Sequence, residues 1–279
     1  METQVQPKPI EEVLQEAEKL QEQGQVDEAL KKYKQALKLN PESTQALNKL
    51  ADIYESKDQL KDAIDCYRKI IHLKPKNAGA YIQLAKALET AEEHTEAILM
   101  YERAIELKPD AAFRVYLGLA NVLYEKGLEE DAIAPYQKAI ELKADLPAKA
   151  YKNLAQALNK TNRFAEAIPY CQKLTELQPE KATAYLKLGQ AQLNADQVNE
   201  AIISLQRVLE LEPNQVMAHK SLGEAFQKQN DLVQAQSYYQ KATELKPDFK
   251  GVYRLLGDVL LKQNRESEAL NAYRQAISV

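Results

Sequence analysis

The chain has 279 residues, of which 45% are hydrophobic and 28% charged, with a net charge of −4. That sign argues against a nucleic-acid binder, whose affinity rests on neutralising phosphates. No apolar run approaches the ~20 residues a membrane-spanning helix needs, and the polar first nine residues hold no signal-peptide core, so a cytoplasmic protein or a soluble piece of one is expected.

Residues 1–9 contain Pro7 and Pro9 and are expected to be disordered. The first helical stretch carries Val13, Leu14, Ala17 and Leu20, with Gly24 in the turn after it. The next stretch places Ala29, Tyr33 and Ala36 on one face at spacings of four and three, the α-helical period, and closes at Pro41. Small residues at both ends of such a face let a neighbouring helix come close, and the tyrosine fills the gap between them. The second and third copies repeat the scheme with Ala63, Tyr67, Ile70 and Pro75, then Ala97, Tyr101, Ala104 and Pro109.

The boundaries before Phe113 and before Ala148 each gain one residue. A local change in the angle between repeats is therefore expected around the fourth copy. That copy has Ala132, Tyr136 and Ala139, with Ala144 where the others close on proline. The fifth has Ala167, Cys171, Leu174 and Pro179. Pro135 and Pro169 fall early in the second helices of these two copies, and Pro135, one position deeper, is the expected kink. Copies six to eight return to the pattern with Ala201, Leu205 and Val208, then Ala235, Tyr239 and Ala242, then Ala269, Tyr273 and Ala276. The last stretch reaches Val279 with nothing to cover Tyr273, Ala276 and Ile277. The expectation drawn from this is a fragment of a longer protein, or an end that packs on another copy.

The leading alanines recur at steps of 34, 34, 35, 35, 34, 34 and 34 residues. Upstream of each lies a helix whose signature is clearest in Tyr81-x-x-Leu84-Ala85, Tyr185-x-x-Leu188-Gly189 and Tyr253-x-x-Leu256-Gly257. An aromatic, a Leu-small pair, a second small residue, a second aromatic and a proline at this period resemble the tetratricopeptide repeat. Eight copies start near residues 10, 44, 78, 113, 148, 182, 216 and 250, making residues 10–279 one repeat domain. The resemblance implies an all-α, right-handed superhelix. First helices would line a concave groove, second helices would form the convex side, and each pair would share a core with its neighbours.

Catalytic chemistry has no foothold in these residues. His72, His94 and His219 are not spaced for metal, and no phosphate loop, HExxH or GxSxG motif occurs. No cofactor is implied. His219 stands where other copies carry tyrosine and is expected to be packed, and Cys66 and Cys171 are expected to act as small buried residues. Twelve tyrosines fit core slots, whereas Tyr124, just after the core residue Leu123, is expected to turn towards the groove.

In the family, ligands contact the first helix at its second, fifth, sixth, ninth, twelfth and thirteenth positions. Carried onto this chain, those slots run from acidic (Glu11, Glu18, Asp52, Glu55) to basic from the fifth copy onward. The expected peptide-binding groove comprises Ile82 and Lys86 of copy three, Arg114, Leu117, Asn121 and Tyr124 of copy four, Lys149, Lys152, Asn153 and Gln156 of copy five, and Leu186 and Gln190 of copy six. The carboxylate clamp of chaperone-tail binders is not matched: Lys152 is followed by Gln156, then Lys187, then Met217 and Ser221. The asparagine ladder of the O-linked sugar transferases is matched by Asn153 alone. The reading is a non-enzymatic scaffold for a peptide or protein segment, with acidic groups favoured in the C-terminal half of the groove and no nucleic-acid or membrane partner. Two alternatives stand beside it: the targeting array of a larger glycosyltransferase, sulfotransferase or methyltransferase, and self-association into a homo-oligomer through the uncapped last helix.

Overall fold

The computed structural model describes residues 9–278. The expected disorder of the N-terminal tail therefore lies outside the described residues, except at Pro9, which is exposed and immediately precedes the first helix. The chain divides into two compact units, residues 1–144 and 145–279. No strand occurs among the described residues.

The first unit holds four helical hairpins: α1 (Ile10–Glu22) with α2 (Val26–Leu39), α3 (Thr44–Ser56) with α4 (Leu60–Leu73), α5 (Ala78–Thr90) with α6 (His94–Leu107), and α7 (Phe113–Glu125) with α8 (Glu129–Leu142). The second unit holds four more: α9 (Ala148–Lys160) with α10 (Phe164–Leu177), α11 (Ala182–Asn194) with α12 (Val198–Leu211), α13 (Val216–Lys228) with α14 (Leu232–Leu245), and α15 (Lys250–Lys262) with α16 (Glu266–Ser278). Within each unit every helix packs on the next in sequence, so each hairpin leans on its neighbours. First helices also approach first helices, α5 on α7 and α11 on α13. No pair of second helices shows contact of that extent.

The hairpins close by a common local device. Each turn between a first and a second helix contains one residue with positive φ: Gly24, Asp58, Glu92, Gly127, Asn162, Asp196, Asn230 and Asn264. Glycine adopts this conformation freely and Asn or Asp tolerate it, whereas Glu92 at φ 60° is held there against its preference. Second helices end where a proline follows the C-cap. Asn40 before Pro41 is extended, as a residue before proline must be. Lys143 is extended too, although Ala144 follows it, so the stop in the fourth copy does not depend on proline. Helices α8 and α10 each continue through an internal proline, Pro135 and Pro169.

The core is built from the recurring face. Ala29, Ala63, Ala97, Ala132, Ala167, Ala201, Ala235 and Ala269 are all fully buried. Tyr33, Tyr67, Tyr101, Tyr136 and Tyr239 are among the largest fully enclosed side chains, while Tyr273, Tyr185, Tyr253 and Tyr54 are only partly covered. Cys66 and Cys171 are buried and free, and burial pushes each thiol up to about 11. His219 is buried as expected. Its Nε2 lies 2.9 Å from the Pro213 carbonyl, the partner that Tyr116 takes in the fourth copy with Pro109 at 2.7 Å. An imidazole N–H thus replaces a phenol O–H in the same tie.

Candidate functional site: the first-helix faces

In five hairpins the tyrosine of the second helix reaches through to the polar face of the first helix. Tyr33 donates to Gln21 (3.1 Å), Tyr101 to Glu89 (2.6 Å), Tyr136 to Asn121 (2.8 Å), Tyr239 to Gln227 (2.9 Å) and Tyr273 to Asp258 (2.7 Å). Each acceptor sits at the ninth or twelfth position of its first helix. A buried ring therefore holds a polar group at the surface in a fixed pose. In the fifth copy Cys171 replaces the tyrosine and cannot reach across. The Oδ1 of Asn159, at the twelfth position, is left buried without a partner.

In the first unit, Lys86 and Arg114 are exposed, and Ile82 and Leu117 are half-buried. Asn121 has its Oδ1 taken by Tyr136. Tyr124 is half-buried and lies edge-on to Tyr136, ring centroids 6.5 Å apart, so part of its face is spent on the core rather than turned wholly outward. Burial raises the carboxyls of Asp52 and Glu55, and burial with Glu18, Asp52 and Glu22 nearby pushes the Tyr33 hydroxyl up to about 12.

In the second unit, Lys149, Lys152 and Gln156 of α9 meet around one cavity of about 550 Å³. Lys187 of α11 joins them, as do Gln178, Lys181 and Thr183 from the end of α10 and the start of α11. Burial, then the neighbouring Lys152 ammonium, hold the Lys187 amine below the usual lysine range. No carboxylate lines the cavity. Asn153 departs from expectation: it is 5% exposed and buried among the residues of α9. It occupies the sixth position, which is buried wherever the side chain is short, as at Gly118 and Ser221; a lysine there, Lys187, is long enough to emerge. Leu186 packs against the cluster of Ala182, Val208 and Ala218, and Gln190 is half-buried. Farther along, Asn194, Glu224, Gln227, Lys228 and Lys262 line a cavity of about 460 Å³.

Reasoning from first-helix slots could not find Lys181, Thr183 and Gln178, which enter from the connection between hairpins. It also missed a larger cavity, about 780 Å³, lined by Glu102, Ile105, Tyr116, Leu119, Pro135 and Lys138 of α6, α7 and α8. No group of His, Cys, Asp and Glu able to hold a metal occurs among the described residues. None of the described helices is long and apolar enough to cross a membrane.

A tetratricopeptide repeat family model matches residues 14–78, 82–147 and 220–278, and a second one matches residues 158–223. The chain belongs to the tetratricopeptide repeat family. The solved structures similar to this tetratricopeptide repeat chain include YrrB, described as a TPR protein with an unusual peptide-binding site. It is 24% identical, with a TM-score of 0.57, over 76% of this chain and 100% of that one. The crystal structure of MamA is 24% identical, with a TM-score of 0.53, over 57% of this chain and 92% of that one. MamA from Desulfovibrio magneticus RS-1 is 20% identical, with a TM-score of 0.50, over 62% and 96%. At these identities the likeness establishes the fold, a solenoid of helical repeats. Comparison with curated protein sequences returned no match.

Proposed function

We propose that this tetratricopeptide repeat protein is a non-enzymatic scaffold that binds extended peptide segments on the first-helix faces of its repeats. The observation that carries the reading is the convergence of Lys149, Lys152 and Gln156 with Lys187 around one open cavity. Amides there can hydrogen-bond both the N–H and the C=O groups of an extended backbone, and the ammonium groups select acidic side chains. Leu186 and Gln190 extend this face along α11, with Asn153 supporting it from beneath. In the first unit the corresponding contacts are Ile82, Lys86, Arg114, Leu117, Asn121 and Tyr124. The peptide-binding site ascribed to YrrB supports the reading by analogy of fold.

The test is selection from a displayed peptide library with the intact chain, followed by the double variant Lys152→Glu with Gln156→Ala. Weaker binding at unchanged helical content is expected. Undiminished affinity for every selected peptide would remove the cavity from the site.

A further inference from the structure

We propose that the lysine-lined cavity of the second unit takes the dianionic phosphoryl group of a phosphorylated peptide side chain. This rests on the peptide-binding reading above and names the chemistry its C-terminal face selects.

The first observation is a gathering of ammonium groups around one space. Lys149, Lys152, Lys181 and Lys187 surround about 550 Å³, and no carboxylate is among the lining groups. Several lysines of the same unit outside the cavity are paired: Lys220 with Glu224 at 2.6 Å, Lys228 with Asp196 at 2.8 Å, Lys173 with Glu176 at 2.9 Å. Among the described residues Lys152, Lys181 and Lys187 form no such pair.

The second is position. Lys187 is half-buried, and Lys152 is near enough to repel it. Like charges held together in a partly desolvated place cost stability in the empty protein, and a bound anion removes that cost. Gln156, Gln178 and Thr183 add neutral hydrogen-bond donors at the rim. A single carboxylate would leave most of the charge of Lys152, Lys181 and Lys187 unmatched. A phosphomonoester brings about two negative charges and three acceptor oxygens to the same space.

The experiment uses the full chain and an array of phosphoserine and phosphothreonine peptides, each beside its unmodified and Asp-substituted counterparts. Inorganic phosphate and a single-stranded oligonucleotide serve as further probes. Phosphopeptides are expected to bind at least about tenfold more tightly than their unmodified forms, with Lys152→Gln and Lys187→Met each abolishing that advantage. Phosphate is expected to raise the thermal midpoint of the native chain but not of either variant. Lys187→Met is also expected to raise the midpoint in phosphate-free buffer, an effect that loss of a merely structural residue would reverse. Equal binding of modified and unmodified peptides, indifferent to both variants, overturns the phosphoryl assignment and leaves peptide binding intact. A lysine-dependent response to phosphate with no peptide bound overturns the peptide reading and, with it, this proposal. Tighter, lysine-dependent binding of the oligonucleotide overturns it in favour of nucleic acid.

Discussion

The Tyr101 hydroxyl donates a 2.6 Å hydrogen bond to the Glu89 carboxylate, crossing from the buried side of α6 to the polar face of α5. Its ring tip rests where Gly118 of the next hairpin has no side chain; a Cβ there would lie 2.5 Å from the hydroxyl. Tyr67 fills the same slot one repeat earlier and faces Glu55, the carboxylate equivalent to Glu89, but makes no contact with it at hydrogen-bond distance. The two tyrosines therefore carry a short and a longer version of the same polar strut. Tyr101→Phe is expected to cost about 1.5–3 kcal/mol, the range for a hydrogen bond to a charged group. Tyr67→Phe is expected to cost less, because the longer contact contributes less. Denaturant midpoints of the two variants check the pair, and a larger loss at Tyr67 would contradict it.

The same contrast can be drawn from the acceptor side. Asn121→Leu strands the Tyr136 hydroxyl and is expected to cost about 1–3 kcal/mol. Asn159→Leu removes an Oδ1 that already lacks a partner, and is expected to leave the thermal midpoint unchanged or higher.

Among the described residues Glu92 is the only glutamate in a left-handed turn position, at φ 60°, where the other repeats use Gly, Asp or Asn. Glu92→Gly is expected to stabilise the chain by about 0.5–1 kcal/mol by relieving that strain. The reverse change at Gly127, φ 75°, to Ala is expected to destabilise it by a similar amount. Paired urea titrations of the two variants measure both signs.

Two glycines in the second unit are expected to respond oppositely to alanine. A Cβ on Gly223 would stand 2.5 Å from the Tyr239 ring, which itself is tied to Gln227, so Gly223→Ala is expected to cost about 1–3 kcal/mol. Gly251 lies in the first turn of α15 with nothing nearer than Phe249 at 4.0 Å. There alanine is expected to gain up to about 1 kcal/mol of helix propensity. Calorimetric midpoints moving in the same direction would refute the contrast.

High pH should unfold the protein through its tyrosines. Burial raises the hydroxyls of Tyr33, Tyr67, Tyr101 and Tyr239 above their ordinary value of 10.0, with nearby carboxylates adding to the shift. An acid whose folded value is raised binds its proton more tightly when folded. That stabilisation is complete below pH 10 and is lost as pH climbs through the folded values, which for Tyr33 is about 12. Helical circular dichroism and tyrosinate absorbance, followed together, are expected to change in one step above pH 10. Ionisation of all four without loss of helix would show that the rings are not enclosed.

Much of the architecture was legible because it is periodic. Alanine, tyrosine and alanine at four and three residues apart must share one helical face, and a recurrence of 34 or 35 residues repeats that face along the chain. The turn device was harder to see. Gly, Asp, Glu and Asn all serve in it, so no residue type marks the position; the period aligns Glu92 with Gly24, but only backbone geometry reveals the positive φ they share. The groove was legible by slot but not by exposure. Asn153 and Lys187 share the sixth position, yet the short amide is buried and the long amine emerges.

Spacing along one helix thus dictates the hairpins, their core faces and where each ends, because those depend on neighbours three and four residues away. Which polar groups are consumed and which stay available is set across helices. The Tyr136 bond to Asn121, the partnerless Asn159 facing Cys171 in its own hairpin, and the lysines of α9 meeting Lys181 and Lys187 at one cavity all span 12 residues or more of chain. Hydrogen bonds and charge repulsion act over a few ångströms in space, so only the packed helices could decide them.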